Sequence, residues 1–590
     1  MKFLKKIYSS KLFWPLVIVL FFAVLAGRSL IFEKGYFNMH DDLQMMRQLE
    51  MEKCFLDGQI PCRWVPDMGY GFGFPLFNFY PPLPYLIGEA FRVMGGLFTT
   101  SAKLTFALSF IVSGIGMFLL TKEFFSKSGK GGKANYLGPI LASVFYVWAP
   151  YRSVDVYVRG AMNEAWALAW FPFIFWCAYR LIKDSKNQNK WIIGLALSWF
   201  ALLTSHNLMV IAFGPLFGGW VLLHLWLNKK WSRIPQFIYS GLLSFGLAAF
   251  FTIPALLENK FTHIESVLVG YYDYSAHFVN LKQLLISRFW GYGPSVWNMV
   301  DDGMPFQIGH IHWVLSLVVG GWIYLQLRKI SKTKTTLRST YYVILFMIAS
   351  GWIAAFLTHT RSTFIWQILS FMRYLQFPWR LLVIPTFTFS FAIGFIPELL
   401  AQSKIALFIK RRSLIVVLLA IGLVAFNWNY FRPELGHMGP LTDEEKLSGV
   451  AWDLQQTAGI YDYLPKWAET APKEPMKKLV EVMKGQAEAS DTEQGTNWAS
   501  FKINVTDEKA VIRLGIFYFP GWRVFVDDQE IGTYIHEEEK WGRMYIDIVE
   551  GEHRVEAKFY NTPVRKVGNI LSLVTWLGLF SFPFLRRKTS

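Results

Sequence analysis

The chain has 590 residues, 53% of them hydrophobic, 18% aromatic and only 17% charged, with a formal net charge of +17. The apolar residues gather in blocks of roughly 17–25, which excludes an ordinary soluble enzyme and points to a multi-pass membrane protein. The basic excess sits in short loops between those blocks (122–133, 180–190, 328–338, 404–412), where Glu123 and Asp184 are the exceptional acids; this positive-inside bias accounts for the charge and predicts no nucleic-acid partner.

Residues 12–32 form the first block, which lacks a small-residue cleavage site and reads as a retained anchor. With basic loops placed in the cytoplasm, twelve spans are expected, near 12–32, 101–121, 135–153, 162–182, 191–204, 207–227, 235–256, 308–327, 340–357, 379–400, 413–430 and 567–585. Both termini then lie inside a plasma membrane, and the long loops 33–100, 257–306, 358–378 and 431–566 lie outside. The expected organisation is a transmembrane domain over 1–430, an extracytoplasmic domain over 431–566, and a final span with a cytoplasmic tail over 567–590.

In the first outer loop, His40, Asp41 and Asp42 follow the first span at the membrane boundary, where a lipid headgroup would arrive. Asp41 with Gln44 three residues on resembles a capping box for a helix bearing Leu43, Met46 and Leu49 on one face. A carboxylate at a helix N-terminus stays ionised and able to accept a proton, and two adjacent acids exceed what capping needs. Cys54 and Cys62 share the same loop and are spaced for a small-loop disulfide in an oxidising compartment. From Trp64 to Tyr85 a run rich in Gly, Pro and aromatics cannot be a regular helix. Its rings, Tyr70, Phe79 and Tyr80 among them, suit an aromatic belt, a sugar-stacking wall or a lipid groove. Residues 81–98 read as a surface helix, because a span there would move the Lys-rich loop 122–133 outside.

Further along, Arg152, Asp155, Arg159 and Glu164 bridge the outer ends of two spans, His206 occupies the next outer turn, and Arg373 and Arg380 flank another. Charges at that depth are costly and face a cavity or one another. Pairing of Arg159 with Asp155 or Glu164 competes with a role for Arg159, Arg373 and Arg380 in holding a phosphate, for which the planar guanidinium is well shaped. Arg380 has no acid neighbour in sequence and is the preferred phosphate ligand. Glu258 and Asp301-Asp302-Gly303 lie in the second outer loop. The latter resembles half of a metal-binding loop, a divalent metal being possible and none required by the sequence, but DDG is common in plain turns. No Walker loop, GxGxxG fingerprint or Cys/His metal spacing occurs, so no cofactor is read from the chain. Beyond residue 431, alternation over 500–505, 510–517, 522–526, 543–548 and 553–559 predicts a small β-sandwich from about 498, after a helical or irregular stretch over 441–495.

The runs HDDLQMMRQLE, GYGFGFPLFNFYPPLPY, APYRSVDVYVRGAMNEAWA, SHNL, DDGMPFQIG, LQFPWR and FPGWRVFVDDQE resemble the bacterial membrane family labelled pyruvoyl-tetrahydropterin-synthase-related, with its YfhO-like relatives, and more broadly the GT-C superfamily of membrane glycosyltransferases. The resemblance implies a GT-C-like polytopic fold and inverting transfer of a sugar from a polyprenyl-phosphate-linked donor to an extracytoplasmic glycan, lipid or protein acceptor. It implies an outer-loop carboxylate as base, carried onto Asp41 or Asp42. Basic side chains would hold the donor phosphate, carried onto Arg380, Arg159, Arg373 and His206. His40, Tyr70, Phe79, Tyr80, Glu164 and Glu258 are the expected substrate-lining residues. A flippase for a lipid-linked sugar and a non-catalytic envelope assembly protein are the alternatives; the first predicts internal repeats, which the sequence does not show.

Overall fold

The computed structural model of the protein describes residues 11–126, 135–295, 303–331, 335–402, 412–434 and 441–587. Asp301 and Asp302, and most of the basic loops near 128, 332 and 408, lie outside the described residues. The described chain divides into two compact units, 1–41 with 103–244 and 271–440, and 42–102 with 245–270 and 441–590.

Eight helical segments among the described residues are long and apolar enough to cross a membrane: Phe98–Phe125, Met162–Lys183, Met209–Asn228, Trp231–Leu257, His310–Lys329, Thr335–Leu357, Pro378–Gln402 and Ser413–Tyr430. These match eight of the twelve expected spans. The other four are helical but depart from the expectation. Phe13–Ala26 and Leu137–Val147 have 14 and 11 residues, short of the roughly 20 a span requires. Gln188–Ser205 begins on the polar Gln188, Asn189 and Lys190, and Pro563–Arg587 carries Arg565 and Lys566 in its first turn.

In the first unit, Pro378–Gln402 is the central segment, 94% of its apolar window being buried. It packs against Thr335–Leu357, His310–Lys329 and Leu137–Val147. Contact with the last is close because both partners are glycines: a Cβ on Gly138 would fall 2.4 Å from the Gly394 carbonyl oxygen. The two acids that break the positive loop pattern are both used by one arginine. Arg180 lies 3.4 Å from Glu123 and 3.0 Å from Asp184.

The second unit is built on a single antiparallel sheet of β1 (Val480–Lys484), β2 (Ala487–Gln494), β3 (Trp498–Phe517), β4 (Trp522–Val526), β5 (Gln529–Ile531) and β6 (Arg543–Phe559), in the order β1-β3-β6-β4-β5 with β2 also on β3. The expected β-sandwich is therefore corrected to one continuous sheet. Each expected pair, 500–505 with 510–517 and 543–548 with 553–559, is a single long strand. Each pair was split at a polar stretch, and the β3–β6 register shifts between Val505 and Lys509, an irregularity that bends a strand without ending it. β1 and β2 replace part of the expected irregular stretch. The buried alternation Ala499, Phe501, Ile503, Val505 turns one face of β3 into core.

What covers that face corrects a second expectation. The Gly/Pro/aromatic run is neither belt nor exposed wall for the most part. Trp64 is buried against Phe519, Trp522 and Phe559; Phe72 meets Phe517; Phe79 stacks on Tyr463 with centroids 5.5 Å apart. Residues 42–102 thus fall in the same compact unit as residues 441–590, whereas residues 33–41 fall in the other. Cys54 and Cys62 are disulfide-bonded, Cα atoms 5.5 Å apart, where helix Gln44–Leu56 gives way to this run. Residues 83–93 form a helix of 11 residues, about half a span.

Candidate active site

Helix Gln44–Leu56 starts later than the capping-box expectation requires. Gln44 is its first residue and Leu43 its N-cap, without a side-chain cap, so neither aspartate caps it. The Gln44 side chain instead accepts from the Tyr85 hydroxyl at 2.6 Å. The two acids are held by different contacts. Asp42 forms an ion pair with Lys446, whose side chain is 6% exposed. Asp41 is fixed through its backbone, its N–H donating to the Arg159 carbonyl at 2.8 Å, next to a His40 N–H donating to Val158 at 3.1 Å. This approach is possible because residue 160 is glycine. At φ 62° it adopts a left-handed conformation, and a Cβ there would fall 2.1 Å from Met39 Sδ.

The Asp41 backbone therefore adjoins the backbone of Arg159, a residue whose side chain belongs to a buried ion cluster. A π-type turn, Val154–Val158, precedes helix Met162–Lys183 and carries Asp155; Arg159 follows it, and Glu164 lies in the first turn of the helix, where a carboxylate is favoured. Arg159 Nη1 donates to Asp155 Oδ1 at 2.5 Å and to Glu164 Oε2 at 2.8 Å, and the Tyr151 hydroxyl donates to Glu164 Oε1 at 2.7 Å. Arg380 Nε approaches the same Glu164 oxygen at 3.6 Å. The expected pairing of Arg159 is thus present, and Arg380, which has no acid neighbour in sequence, has one in the fold: Glu164, 216 positions earlier in the chain, lies beside it.

Arg380 is held by further contacts of its own. Its Nη1 is gripped by the Leu375 carbonyl at 2.9 Å and by Gln376 Oε1 at 2.8 Å. Gln376 itself is held at φ 63°, strain that persists where surrounding structure imposes it. Arg159 lies under the Trp379 ring, its Cζ 4.7 Å from the centroid. Two guanidinium groups thus share one carboxylate, and Arg380, its side chain 13% exposed, is the more accessible of the two. His206, in the turn between Gln188–Ser205 and Met209–Asn228, is within electrostatic reach of Glu164. Burial pushes its pKa down to about 3, so it offers a neutral imidazole.

The remaining expected residues are placed differently. His40 hydrogen-bonds the Tyr292 carbonyl through Nε2 at 2.8 Å. Arg373 is exposed on a 3-10 turn, Ser370–Leu375. Tyr80 accepts from Arg47 at 2.9 Å, Phe79 is core, and Tyr70 lines a groove in the second unit. Glu258, expected to line the substrate, is 1% exposed and bonded to Arg565 at 2.8 Å, Asn78 at 2.9 Å and Thr562. Among the described residues no group of three His, Cys, Asp or Glu side chains is arranged to hold a metal. Sequence reasoning did not single out Tyr151, Trp379, Gln376 or Lys446; the first three lie inside the quoted runs APYRSVDVYVRGAMNEAWA and LQFPWR, and Lys446 had no local signal.

No protein-family model matches the chain. A protein of Lactococcus lactis subsp. cremoris (strain MG1363), described as uncharacterized, is 26% identical over 261 residues, which span 42% of this chain and 40% of the relative. Among solved structures, the chain is similar to arabinofuranosyltransferase AftD from Mycobacteria, with 13% identity and a TM-score of 0.41 over 71% of this chain and 27% of that one. It is also similar to ArnT from Cupriavidus metallidurans bound to undecaprenyl phosphate, with 12% identity and a TM-score of 0.36 over 71% and 72% of the two chains.

Proposed function

We propose that this protein is a multi-pass membrane glycosyltransferase, GT-C-like, that moves a sugar from a polyprenyl-phosphate-linked donor to an acceptor outside the plasma membrane. The observation that supports the reading is the hydrogen bond from the Asp41 N–H to the Arg159 carbonyl, which ties the Asp41 backbone to the residue whose side chain shares Glu164 with Arg380. The Cys54–Cys62 disulfide supports an oxidising compartment for the first loop.

The chemistry follows from the charges. Arg380, with Arg159 behind it, holds the donor phosphate by charge-assisted hydrogen bonds. An acceptor hydroxyl attacks the anomeric carbon as the bond from that carbon to the phosphate oxygen breaks. Electrons of the broken bond leave on polyprenyl phosphate, whose added negative charge the arginines stabilise. The hydroxyl proton passes to the Asp41 carboxylate as general base, and the anomeric centre inverts. Asp42, committed to Lys446, positions the loop. Purified protein incubated with labelled polyprenyl-phosphate sugars tests the reading: released polyprenyl phosphate together with a glycosylated product supports it. Movement of intact donor across a vesicle without product would favour a flippase instead.

A further inference from the structure

The second unit contains an open groove of about 610 Å³, lined by Lys53, Asp67, Tyr70, Trp452, Gln456 and Thr496 among others. Its volume lies within the ~300–1,000 Å³ of small-molecule sites. None of these residues belongs to the cluster around Arg159 and Arg380, and the proposed transfer chemistry leaves them unused.

The walls are built with care for position. Tyr70 stands between Gly69 and Gly71 in a run of three left-handed residues, φ 67°, 59° and 82°. For tyrosine this conformation is a strained one, and it is imposed from both sides. The Tyr70 N–H donates to the Gln456 carbonyl at 3.3 Å, and the Tyr70 carbonyl accepts from Met476 at 2.9 Å. Strain of this kind persists where function uses it. Across the groove, helix Gly449–Thr457 contributes Trp452, half-buried, with Lys53 Nζ 5.9 Å from its ring centroid. Lys53 pairs with Asp67, and these side chains are 38% and 21% exposed. Beneath Asp67 the Glu50 carboxyl is fully buried, and burial followed by the Asp67 charge drives its pKa well above the usual range. The part-exposed Lys53–Asp67 pair is the polar element of that wall. Asp57 is already saturated, accepting from the Thr496 N–H at 2.6 Å, the Thr496 hydroxyl at 2.7 Å and the Trp498 indole at 3.0 Å.

This is the chemistry of polyhydroxyl recognition. A carboxylate accepts from one hydroxyl while the ammonium beside it donates to the next, the Gln456 side-chain amide can do both, and aromatic rings offer faces for the apolar side of a sugar. One lysine against two aspartates gives no net positive charge, which disfavours phosphate or any polyanion. We infer that this groove binds a neutral oligosaccharide, the glycan acceptor of the proposed transfer. The assignment of the bound glycan as acceptor rests on the glycosyltransferase reading; glycan binding itself does not.

The test uses the full chain in detergent, with maltotetraose, cellotetraose, chitotetraose and a rhamnose tetrasaccharide as probes, read by saturation-transfer NMR and calorimetry. At least one probe binds the native protein, Trp452→Ala weakens it tenfold or more, Trp452→Phe largely retains it, and Asp67→Asn weakens it severalfold. Unfolding temperatures of all variants are measured alongside, and the Phe variant guards against a merely unfolded Ala variant. No binding by any probe, or binding indifferent to both Trp452→Ala and Asp67→Asn, overturns the inference. Undecaprenyl phosphate binding is measured on the same samples and is expected to be unchanged by Trp452→Ala and lost in Arg380→Ala. Glycan binding without any polyprenyl-phosphate binding would sink the transferase reading while leaving the groove assignment standing.

Discussion

Asp42 and Lys446 form an ion pair across 404 positions of sequence, and this separates the tasks of two adjacent acids that the sequence could not tell apart. The lysine is nearly buried, so its charge depends on the aspartate; a buried partner left alone costs about 3–5 kcal/mol, less here because Asp42 is 26% exposed. Lys446→Met and Asp42→Asn should each lower stability by roughly 1–3 kcal/mol, and a double-mutant cycle should show strong coupling. Additive losses in thermal unfolding would show that the pair contributes nothing.

Arg380 offers a second prediction. A lysine keeps the charge but cannot meet Leu375, Gln376, Glu164 and a phosphate with one planar group. Arg380→Lys should weaken polyprenyl-phosphate binding about tenfold and Arg380→Ala further, with Arg373→Ala, at an exposed site, close to native. Native affinity in a folded Arg380→Ala protein would remove it from the donor site.

Gly160 tests how the first loop is held. Alanine at φ 62° costs about 1–2 kcal/mol by itself, and its methyl would displace Met39. Because His40 and Asp41 are hydrogen-bonded to Val158 and Arg159, the displacement reaches the proposed base, and a shift near 1 Å can cost ~100-fold in rate. Gly160→Ala should therefore lose far more transfer activity than stability; the reverse ratio would make Gly160 a folding glycine only.

Glu89 sets a pH dependence away from the site. Burial first, opposed by its hydrogen bond from Gln48, raises its pKa to about 7. The folded chain then holds a proton that the unfolded chain releases near pH 4.3, so this contribution is complete below about pH 4 and is lost as pH rises through about 7. The loss amounts to at most about 4 kcal/mol, and less where solvent screens the carboxyl. Melting temperatures measured from pH 5 to 8 should fall less in Glu89→Gln than in the native protein; equal slopes would assign the dependence elsewhere.

The apolar blocks, the Cys54–Cys62 bridge and the i,i+4 pairing of Asp155 with Arg159 were legible because each is local. The aromatic run was legible as irregular but not as core, since rings such as Trp64 and Phe79 have the same composition whether they meet lipid, sugar or a β-sheet. β2 was missed because Ala487–Gln494 is mostly exposed and polar, so no alternation marks it. Glu258 with Arg565, and Glu164 with Arg380, join residues hundreds of positions apart, and only the fold brings them together.

The central claim is that Asp41 accepts the acceptor proton while Asp42 holds the loop. It is tested most directly by single-turnover transfer from a polyprenyl-phosphate sugar in Asp41→Asn and Asp42→Asn, each nearly isosteric. With Asp41 as base, Asp41→Asn should slow transfer by about 10²–10⁴-fold with donor affinity preserved, whereas Asp42→Asn should retain most of the rate and lose stability. Transfer at the native rate in a folded Asp41→Asn protein, or a larger loss at Asp42 than at Asp41, would contradict the account.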